Sequence, residues 1–339
     1  MGDNQAAISD CNQVLLANPK LAVAYSLRSN AKYKIGDIQG GIADSSLALL
    51  IDPKNAMAYY NRGTAKIRLN DIQGAITDLN QALLINPNLA EAYANRGLAK
   101  HAQADYQGAI IDSSQALLIN PKDVNSYVNR GNAKFKLGNN HGAIADYEQA
   151  LLISPRLALA YVNRGIAQIA LGDNQGALTD FNQALLINPK LVEAYENRGL
   201  AKLKLDDNQG SILDGTQAHL INPNSAGTYR NRGLAKLKSG DGQGGSADFN
   251  QALIINPKLY GAYMSRALAK LLLGDRQEAI AGLKQELMRN PKFSPTYYIL
   301  GDTKKSLGDL RVACKYWAKA SCLGSLEAEK RLNENQCRR

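Results

Sequence analysis

The side chains best suited to interact with one another form two rows of opposite charge. Arginine and aspartate each recur at eight positions with a constant period of 34 residues, as from Arg28 to Arg62 and from Asp10 to Asp44. If each aspartate pairs with the next arginine along the chain, every member of both rows has a partner. The predicted ion pairs are Asp10–Arg28, Asp44–Arg62, Asp78–Arg96, Asp112–Arg130, Asp146–Arg164, Asp180–Arg198, Asp214–Arg232 and Asp248–Arg266. Such pairs would fix the register between neighbouring segments, because a misplaced segment leaves both charges unpaired; the alternative is that each charge is separately solvated.

A lysine row follows the arginines at a distance of four residues, as in Arg62 and Lys66. Lys304 persists where the arginine and the aspartate are both replaced, by Leu300 and by Gly282 one step earlier. This persistence indicates that the lysines do not depend on the ion pairs and extend along their stems into solvent.

No pattern typical of catalysis or metal binding occurs. The sequence lacks a phosphate-binding loop, a zinc-protease helix and a serine nucleophile elbow. The four cysteines lack metal-site spacing, and Cys314 and Cys322 would lie about 12 Å apart on one helix, too far for a disulfide. We therefore predict no enzyme activity, no cofactor, no metal and no small-molecule substrate.

Composition narrows the class of protein further. The chain has 339 residues and a formal charge of +10, with lysine and arginine spread along its whole length. No apolar stretch reaches the roughly 18 residues of a membrane span, so no membrane insertion is expected. The first residues, M-G-D-N-Q-A-A-I-S-D, lack the apolar core of a signal peptide, and the sequence assigns no compartment.

The spacing of proline and tyrosine predicts the helices that carry the charged rows. Tyrosine recurs with the same period from Tyr25 to Tyr297, and proline does so at nine positions. Each period holds two helical patterns, separated by a break such as Gly172-Asp173 and ended by Asn-Pro, where proline cannot continue a helix. The prolines are Pro19, Pro53, Pro87, Pro121, Pro155, Pro189, Pro223, Pro257 and Pro291. Each unit is therefore predicted to be a helical hairpin.

A 34-residue hairpin unit with small residues at fixed places resembles the tetratricopeptide repeat (TPR) family. The residues that carry the resemblance include Tyr195, Gly199, Ala201, Gly172, Ala177, Ala184, Leu185 and Pro189. It implies an all-α, right-handed superhelical solenoid in which small residues let the two helices approach closely, Gly199 meeting Ser211 and Gly165 meeting Ala177. We expect a half repeat at 1–21, nine repeats at 22–327 and a capping helix and tail at 328–339.

The two ends depart from this pattern. The start halfway through a unit suggests a fragment of a longer protein or an unusual natural start. Near the other end, W-A-K-A-S-C-L-G-S-L-E-A-E resembles Sel1-type hairpins, close relatives of the family. A last helix is predicted from Ser325 to Asn335, with Leu326 and Leu332 packed against the preceding hairpin.

The resemblance also implies a concave groove lined by the first helices. Asparagine at one place in this family often bonds the backbone of an extended peptide, since an amide both donates and accepts. The matching residues are Asn61, Asn95, Asn129, Asn163, Asn197 and Asn231. We expect Asn129, Asn163 and Asn197 to have amides without intramolecular partners; the alternative is bonding to a neighbouring helix. Apolar residues expected beside this ladder are Phe135, Val162, Ile166, Ile169, Leu200 and Leu203, with packing between helices as their alternative role.

The predicted function is a noncatalytic scaffold that binds a peptide or partner protein in its groove. One alternative is self-assembly through the ends, because the half repeat at the start exposes a helix face. Another is RNA binding, since helical repeats of similar length read bases. The groove lacks interleaved aromatic and basic residues, which makes nucleic acid the weaker prediction.

Overall fold

The computed structural model describes residues 3–259 and 261–337, and every regular element in these segments is an α-helix. The chain divides into a first unit that ends at Asp173 and a second that begins at Asn174. The helices of the first unit are α1 (Asp3–Ala17), α2 (Ala22–Lys34), α3 (Ile38–Ile51), α4 (Ala56–Arg68), α5 (Ile72–Ile85), α6 (Ala90–Ala102), α7 (Tyr106–Ile119), α8 (Val124–Lys136), α9 (Asn140–Ile153) and α10 (Ala158–Leu171).

The second unit has the same organisation. Its helices are α11 (Asn174–Ile187), α12 (Val192–Lys204), α13 (Asn208–Ile221), α14 (Ala226–Lys238), α15 (Gly242–Ile255), α16 (Ala262–Leu272), α17 (Arg276–Arg289), α18 (Ser294–Ser306), α19 (Leu310–Cys322) and α20 (Leu326–Glu334). In both units consecutive helices pack as hairpins, such as α4 with α5 and α14 with α15. The second helix of one hairpin packs on the first helix of the next, as α5 does on α6. The predicted all-α array of helical hairpins is confirmed.

The hairpin turns follow from local chemistry. Asp71 ends the turn before α5, and its Oδ1 accepts a hydrogen bond from the Gly74 backbone N–H at 3.0 Å. This cap satisfies one of the amide groups that a helix start leaves without a partner. The residue before the cap lies in the left-handed region; Gly138 occupies that place at φ 79°, whereas Ala104 takes it at φ 63°.

Helix-interior glycines allow the two helices of a hairpin to approach closely. A Cβ at Gly131 in α8 would lie 2.7 Å from the Tyr147 ring of α9, and one at Gly63 would lie 2.9 Å from Leu79. At Gly199 the nearest atoms are 3.5 Å away and include the Ser211 carbonyl, so the predicted contact of these two residues is confirmed. The matching contact of Gly165 with Ala177 would join the two units and stays a prediction.

The last helix, α20, lies close to its predicted position. Ser325 caps it by accepting a hydrogen bond from Ala328 N at 3.2 Å. Leu332 packs on a buried cluster that contains Trp317 and Ala328, as expected. The predicted packing of Leu326 is wrong, because this residue is 70% exposed. Leu326 lies two positions from the buried Ala328, which places it on the opposite side of the helix, whereas Leu332 is four positions from Ala328 and shares its face.

Candidate functional site

Among the hairpins whose side-chain contacts are described, six contain a buried aspartate held by two cations. In the α6–α7 hairpin, Arg96 Nη2 lies 2.6 Å from Asp112 Oδ1, and Lys100 Nζ lies 2.8 Å from Oδ2. The side chain of Asp112 is 1% exposed. The other aspartates with this arrangement are Asp44, Asp78, Asp146, Asp214 and Asp248. Two opposite charges compensate each buried carboxylate, which would otherwise be costly to desolvate.

The predicted ion-pair register is wrong, since the six described arginine–aspartate pairs each form within one hairpin. Arg28, predicted to pair with Asp10, binds Asp44 through Nη2 at 2.6 Å. Asp146, predicted to pair with Arg164, is bound by Arg130 and Lys134. The corrected pairs are Arg28–Asp44, Arg62–Asp78, Arg96–Asp112, Arg130–Asp146, Arg198–Asp214 and Arg232–Asp248. The lysine prediction is wrong as well, because Lys32, Lys66, Lys100, Lys134, Lys202 and Lys236 bind the same carboxylates.

The ends of the arginine and aspartate rows show why the prediction failed. Within the described residues Asp10 is exposed and forms no ion pair. Arg266 binds the neutral side chains of Asn250 and Gln285, at 3.0 and 3.1 Å. The prediction assumed that every charge in both rows has a partner of the opposite sign. Exposed charges at the ends of the rows need no such partner.

The arginines of the corrected pairs also contact residues other than their aspartate, as Arg96 illustrates. Arg96 Nη1 donates to Asn80 Oδ1 of α5, in the preceding hairpin, at 2.8 Å, while its Nε and Nη2 bind Asp112. The guanidinium of Arg96 also lies 5.4 Å from the ring centre of Tyr93, one helical turn earlier. Residues three apart are neighbours on the surface of a helix. The sequence alone could therefore have predicted this contact between the arginine and the tyrosine.

The asparagine ladder bonds mainly within the protein. Asn61 and Asn231 are 6% exposed, and their amides donate to the backbone oxygens of Ser26 and Glu196, at 2.9 and 3.0 Å. Asn95 donates to Thr64 Oγ1 of the preceding first helix at 2.9 Å. These contacts match the structural alternative for the ladder.

The prediction of three amides without intramolecular partners is wrong for two of them. Asn163 donates to Asn132 Oδ1 at 3.0 Å, and Asn197 donates to Glu193 O of its own helix at 2.8 Å. Asn129 alone of the three has no hydrogen-bond partner among the described residues. Leu98 stands 31 residues before Asn129, at the place where Thr64 and Asn132 supply side-chain acceptors to the next asparagine.

Part of the predicted apolar strip lies in the core. Val162 is fully buried and Leu203 is 6% exposed, so neither can line an open groove. Phe135 is half-buried and packs against the cluster of Ala143, Tyr147 and Ala167. Ile166, Ile169 and Leu200 are partly exposed. The burial of Val162 and Leu203 and the packing of Phe135 match the alternative role of packing between helices.

One cavity of the first unit contains members of the ladder. It measures about 280 Å³ and is formed by α4, α6 and the start of α8. Its lining residues are Tyr60, Glu91, Ala94, Asn95, Leu98, Asp123, Asn125 and Asn129. The cavity is therefore formed by first helices, and Asn95 and Asn129 of the ladder are among its lining residues.

Hydrogen-bond acceptors predominate in this cavity. Glu91 is exposed and forms no ion pair among the described residues. Asp123 caps α8 by accepting from Ser126 N at 3.1 Å. Burial raises the pKa of the Tyr60 hydroxyl, and the Glu91 carboxylate adds to that rise, so Tyr60 stays protonated at neutral pH. The cavity suits a ligand that supplies N–H groups or a positive charge.

A second cavity lies at the last hairpin, beside a disulfide that the sequence did not reveal. Cys314 of α19 is bonded to Cys337, with Cα atoms 5.6 Å apart. The cavity measures about 560 Å³, and Leu310, Arg311 and Leu332 are among its lining residues. Cys337 lies beyond the predicted helix, so helical spacing could not place it near Cys314.

Two classes of feature are not found. Within the described segments, no three or more His, Cys, Asp or Glu side chains are grouped so that they could hold a metal ion. None of the helices described here combines the length and the apolar character needed to cross a bilayer.

Comparison with known proteins agrees with the hairpin geometry. A family model described as TPR repeat matches residues 63–104, 131–172 and 169–206, and one described as tetratricopeptide repeat matches 90–123. Among curated proteins, none is significantly similar in sequence.

Solved structures share the fold at low sequence identity. A chain of the APC/C hetero-tetramer Cut9–Hcn1 has a TM-score of 0.63 and 12% identity, over 96% of this chain and 80% of that chain. A tetratricopeptide repeat protein from Parabacteroides merdae gives 0.59 and 20%, over 73% and 98%. The type IV pilus biogenesis factor PilW gives 0.58 and 24%, over 62% and 98%. The family models match within residues 63–206, and the 34-residue period and stacked helical hairpins of this chain are those of tetratricopeptide repeats.

Proposed function

We propose that this repeat scaffold is noncatalytic and binds an extended peptide segment of a partner protein on the first helices of its first unit. The binding site is the cavity formed by α4, α6 and α8. Asn129 carries this proposal, because its amide lies at the cavity and has no intramolecular partner among the described residues. A half-buried amide needs water or a ligand to satisfy its donor and acceptor groups.

The cavity lining indicates what the peptide presents. Asn129 offers a donor and an acceptor to the peptide backbone, as an amide can for any ligand sequence. Asn95 uses its amide N–H to bind Thr64, and its side chain also meets the Tyr60 hydroxyl at the cavity wall. Glu91 supplies a negative charge beside these amides. The proposed ligand is therefore an extended segment that places a lysine or arginine next to Glu91.

The asparagine ladder provides its own control. Asn129→Ala removes an amide with no internal bond, so it should weaken peptide binding by about tenfold and leave stability unchanged or slightly higher. Asn61→Ala removes a buried bond to Ser26 O, so it should lower stability by about 1 kcal/mol and leave binding intact. Glu91→Gln should weaken binding and reduce its dependence on salt.

The probe is a peptide selected from a displayed random library on the immobilised full chain, then labelled for titration. Fluorescence anisotropy with the wild-type chain and the three variants measures binding, and circular dichroism melts measure stability. Loss of binding in Asn61→Ala but not in Asn129→Ala would contradict the proposal. Failure to select any peptide, together with concentration-dependent association in sedimentation, would favour self-assembly instead.

A further inference from the structure

A row of exposed leucines follows the second helices of the first unit. The residues lie in the last turn of successive second helices, and each is between 74% and 84% exposed. They are Leu16, Leu50, Leu84, Leu118 and Leu152. Because equivalent positions of successive hairpins lie in line along a stack, these side chains form one apolar row on the unit. The second unit repeats the pattern with Leu186, Leu220, Ile254 and Met288.

The row is more uniform than part of the core beside it. The position five residues before the leucine is fully buried in α3, α5, α7 and α9, yet the side chain at this position varies in size. Its residues are Ser45, Leu79, Ser113 and Tyr147. An exposed position without a role would be expected to gather polar residues, as most surfaces do. Leucine at all five of these mostly exposed positions points to a contact of the row with something outside the chain.

Unpaired cations accompany the row. Four residues after the leucine, in the turn that ends each second helix, stands an exposed basic residue in four of the five cases. These residues are Lys20, Lys54, Lys122 and Arg156. None of them forms an ion pair among the described residues, unlike the lysines that bind the buried aspartates. Between each leucine and its cation, the only acidic residue in the first unit is Asp52.

The turn keeps each cation near its leucine. Asn120 ends α7 by donating from its N–H to Ala116 O at 2.8 Å, and its Oδ1 accepts from Lys122 N at 3.2 Å. Four residues span at most about 14 Å even when fully extended, and this turn is tighter. Leucine and cation therefore share one edge of each hairpin.

A protruding aliphatic side chain beside a free cation is the arrangement that binds an anionic lipid bilayer peripherally. The apolar group enters the boundary between headgroups and acyl chains, while the cation is attracted to lipid phosphate. A second copy of the chain fits this edge less well, because self-pairing of the rows would bring like charges together. The leucines stand out into solvent, and none of them lines the α4–α6–α8 cavity.

We propose that this edge of the first unit binds the surface of a bilayer that contains anionic lipid. The proposal is independent of the peptide site, which is formed by first helices and shares no residue with the leucine row. Both surfaces could be occupied at once, so that a peptide partner would be held at the membrane.

The test is cosedimentation of the full chain with vesicles of phosphatidylcholine alone and of phosphatidylcholine with about one third phosphatidylglycerol. The row variant carries Leu50→Gln, Leu84→Gln and Leu118→Gln. Its control carries Leu27→Gln and Leu159→Gln, which are 59% and 51% exposed on first helices. A third variant carries Lys54→Gln, Lys122→Gln and Arg156→Gln. Circular dichroism melts establish that all of them fold.

We expect the wild-type chain and the control to bind anionic vesicles and to bind neutral ones at least about tenfold more weakly. The row variant and the cation variant should each lose about tenfold or more of this binding. Absence of vesicle binding by the wild-type chain would overturn the proposal, as would equal losses in the control and the row variant. If the wild-type chain instead self-associates in sedimentation, and only the row variant abolishes this, the row is a protein interface and the lipid proposal is wrong.

Discussion

A matched pair of glycine substitutions tests how the hairpins are held together. At Gly199 a methyl group would lie 3.5 Å from its nearest neighbours, which is ordinary contact. Gly199→Ala should therefore gain the helix propensity of alanine and stabilise the second unit by up to about 1 kcal/mol. At Gly131 a methyl group would lie 2.7, 3.0 and 3.1 Å from three atoms of the Tyr147 ring. Overpacking of this kind costs about 1–3 kcal/mol, so Gly131→Ala should destabilise its hairpin despite the better propensity.

The Tyr147 ring cannot easily move away from a methyl group at position 131. It is 1% exposed, and its hydroxyl donates to Asn132 Oδ1 at 2.8 Å. Thermal and urea unfolding followed by circular dichroism give the net effect, and hydrogen exchange of the α8 and α12 amides locates it. If both substitutions change stability in the same direction, the close-approach explanation of the glycines is refuted.

A double-mutant cycle isolates the clash itself. Ser113 stands in the preceding hairpin at the place of Tyr147. In a Tyr147→Ser background the ring is gone, and Gly131→Ala should become neutral or stabilising. A substitution that stays equally harmful in that background would mean that its cost comes from the backbone of α9 and not from the ring.

Three further predictions concern other hairpins. Ala104→Gly should raise stability by up to about 1 kcal/mol in urea unfolding, since Ala104 holds a left-handed φ of 63° that glycine adopts without strain. Burial raises the pKa of Glu286 above its ordinary value of 4.5, so the folded state binds this proton more tightly than the unfolded state does. Stability therefore falls as the pH rises from the unfolded to the folded pKa of Glu286. Glu286→Ala should remove this fall and raise the melting temperature at neutral pH. Cys314→Ser removes the disulfide to Cys337, a residue 23 positions away, and should lower the stability of the last hairpin by up to about 3 kcal/mol. Cys322→Ser, at an exposed free thiol, should leave that stability unchanged.

The helices were predictable because their signals are local. The Asn-Pro stops and the Gly-Asp breaks act within a few residues, so the repeat period leads directly to hairpins. Where a break lacks glycine, as at Ala104, the surrounding repeats still indicate a turn. Helix α20 was predictable for the same reason, since Ser325 and its neighbours act locally.

The partners of individual side chains were not predictable in this way. A strict repeat makes pairing within a hairpin and pairing between hairpins look equally regular, so only the geometry of the hairpin decides that Arg28 binds Asp44. Asn129 and Asn163 stand at equivalent positions, yet Asn163 has an internal partner and Asn129 has none among the described residues. The difference depends on residues 31 positions earlier, Leu98 and Asn132, which no local pattern connects to the ladder.

Pairing within the hairpin has a consequence for the length of the array. Because Arg96 and Lys100 neutralise Asp112 inside one hairpin, the contact to the preceding hairpin at Asn80 involves no second full charge. A hairpin could be duplicated or lost without leaving a buried carboxylate half neutralised. The number of copies, and with it the length of the array, is then free to change by gene duplication at little electrostatic cost.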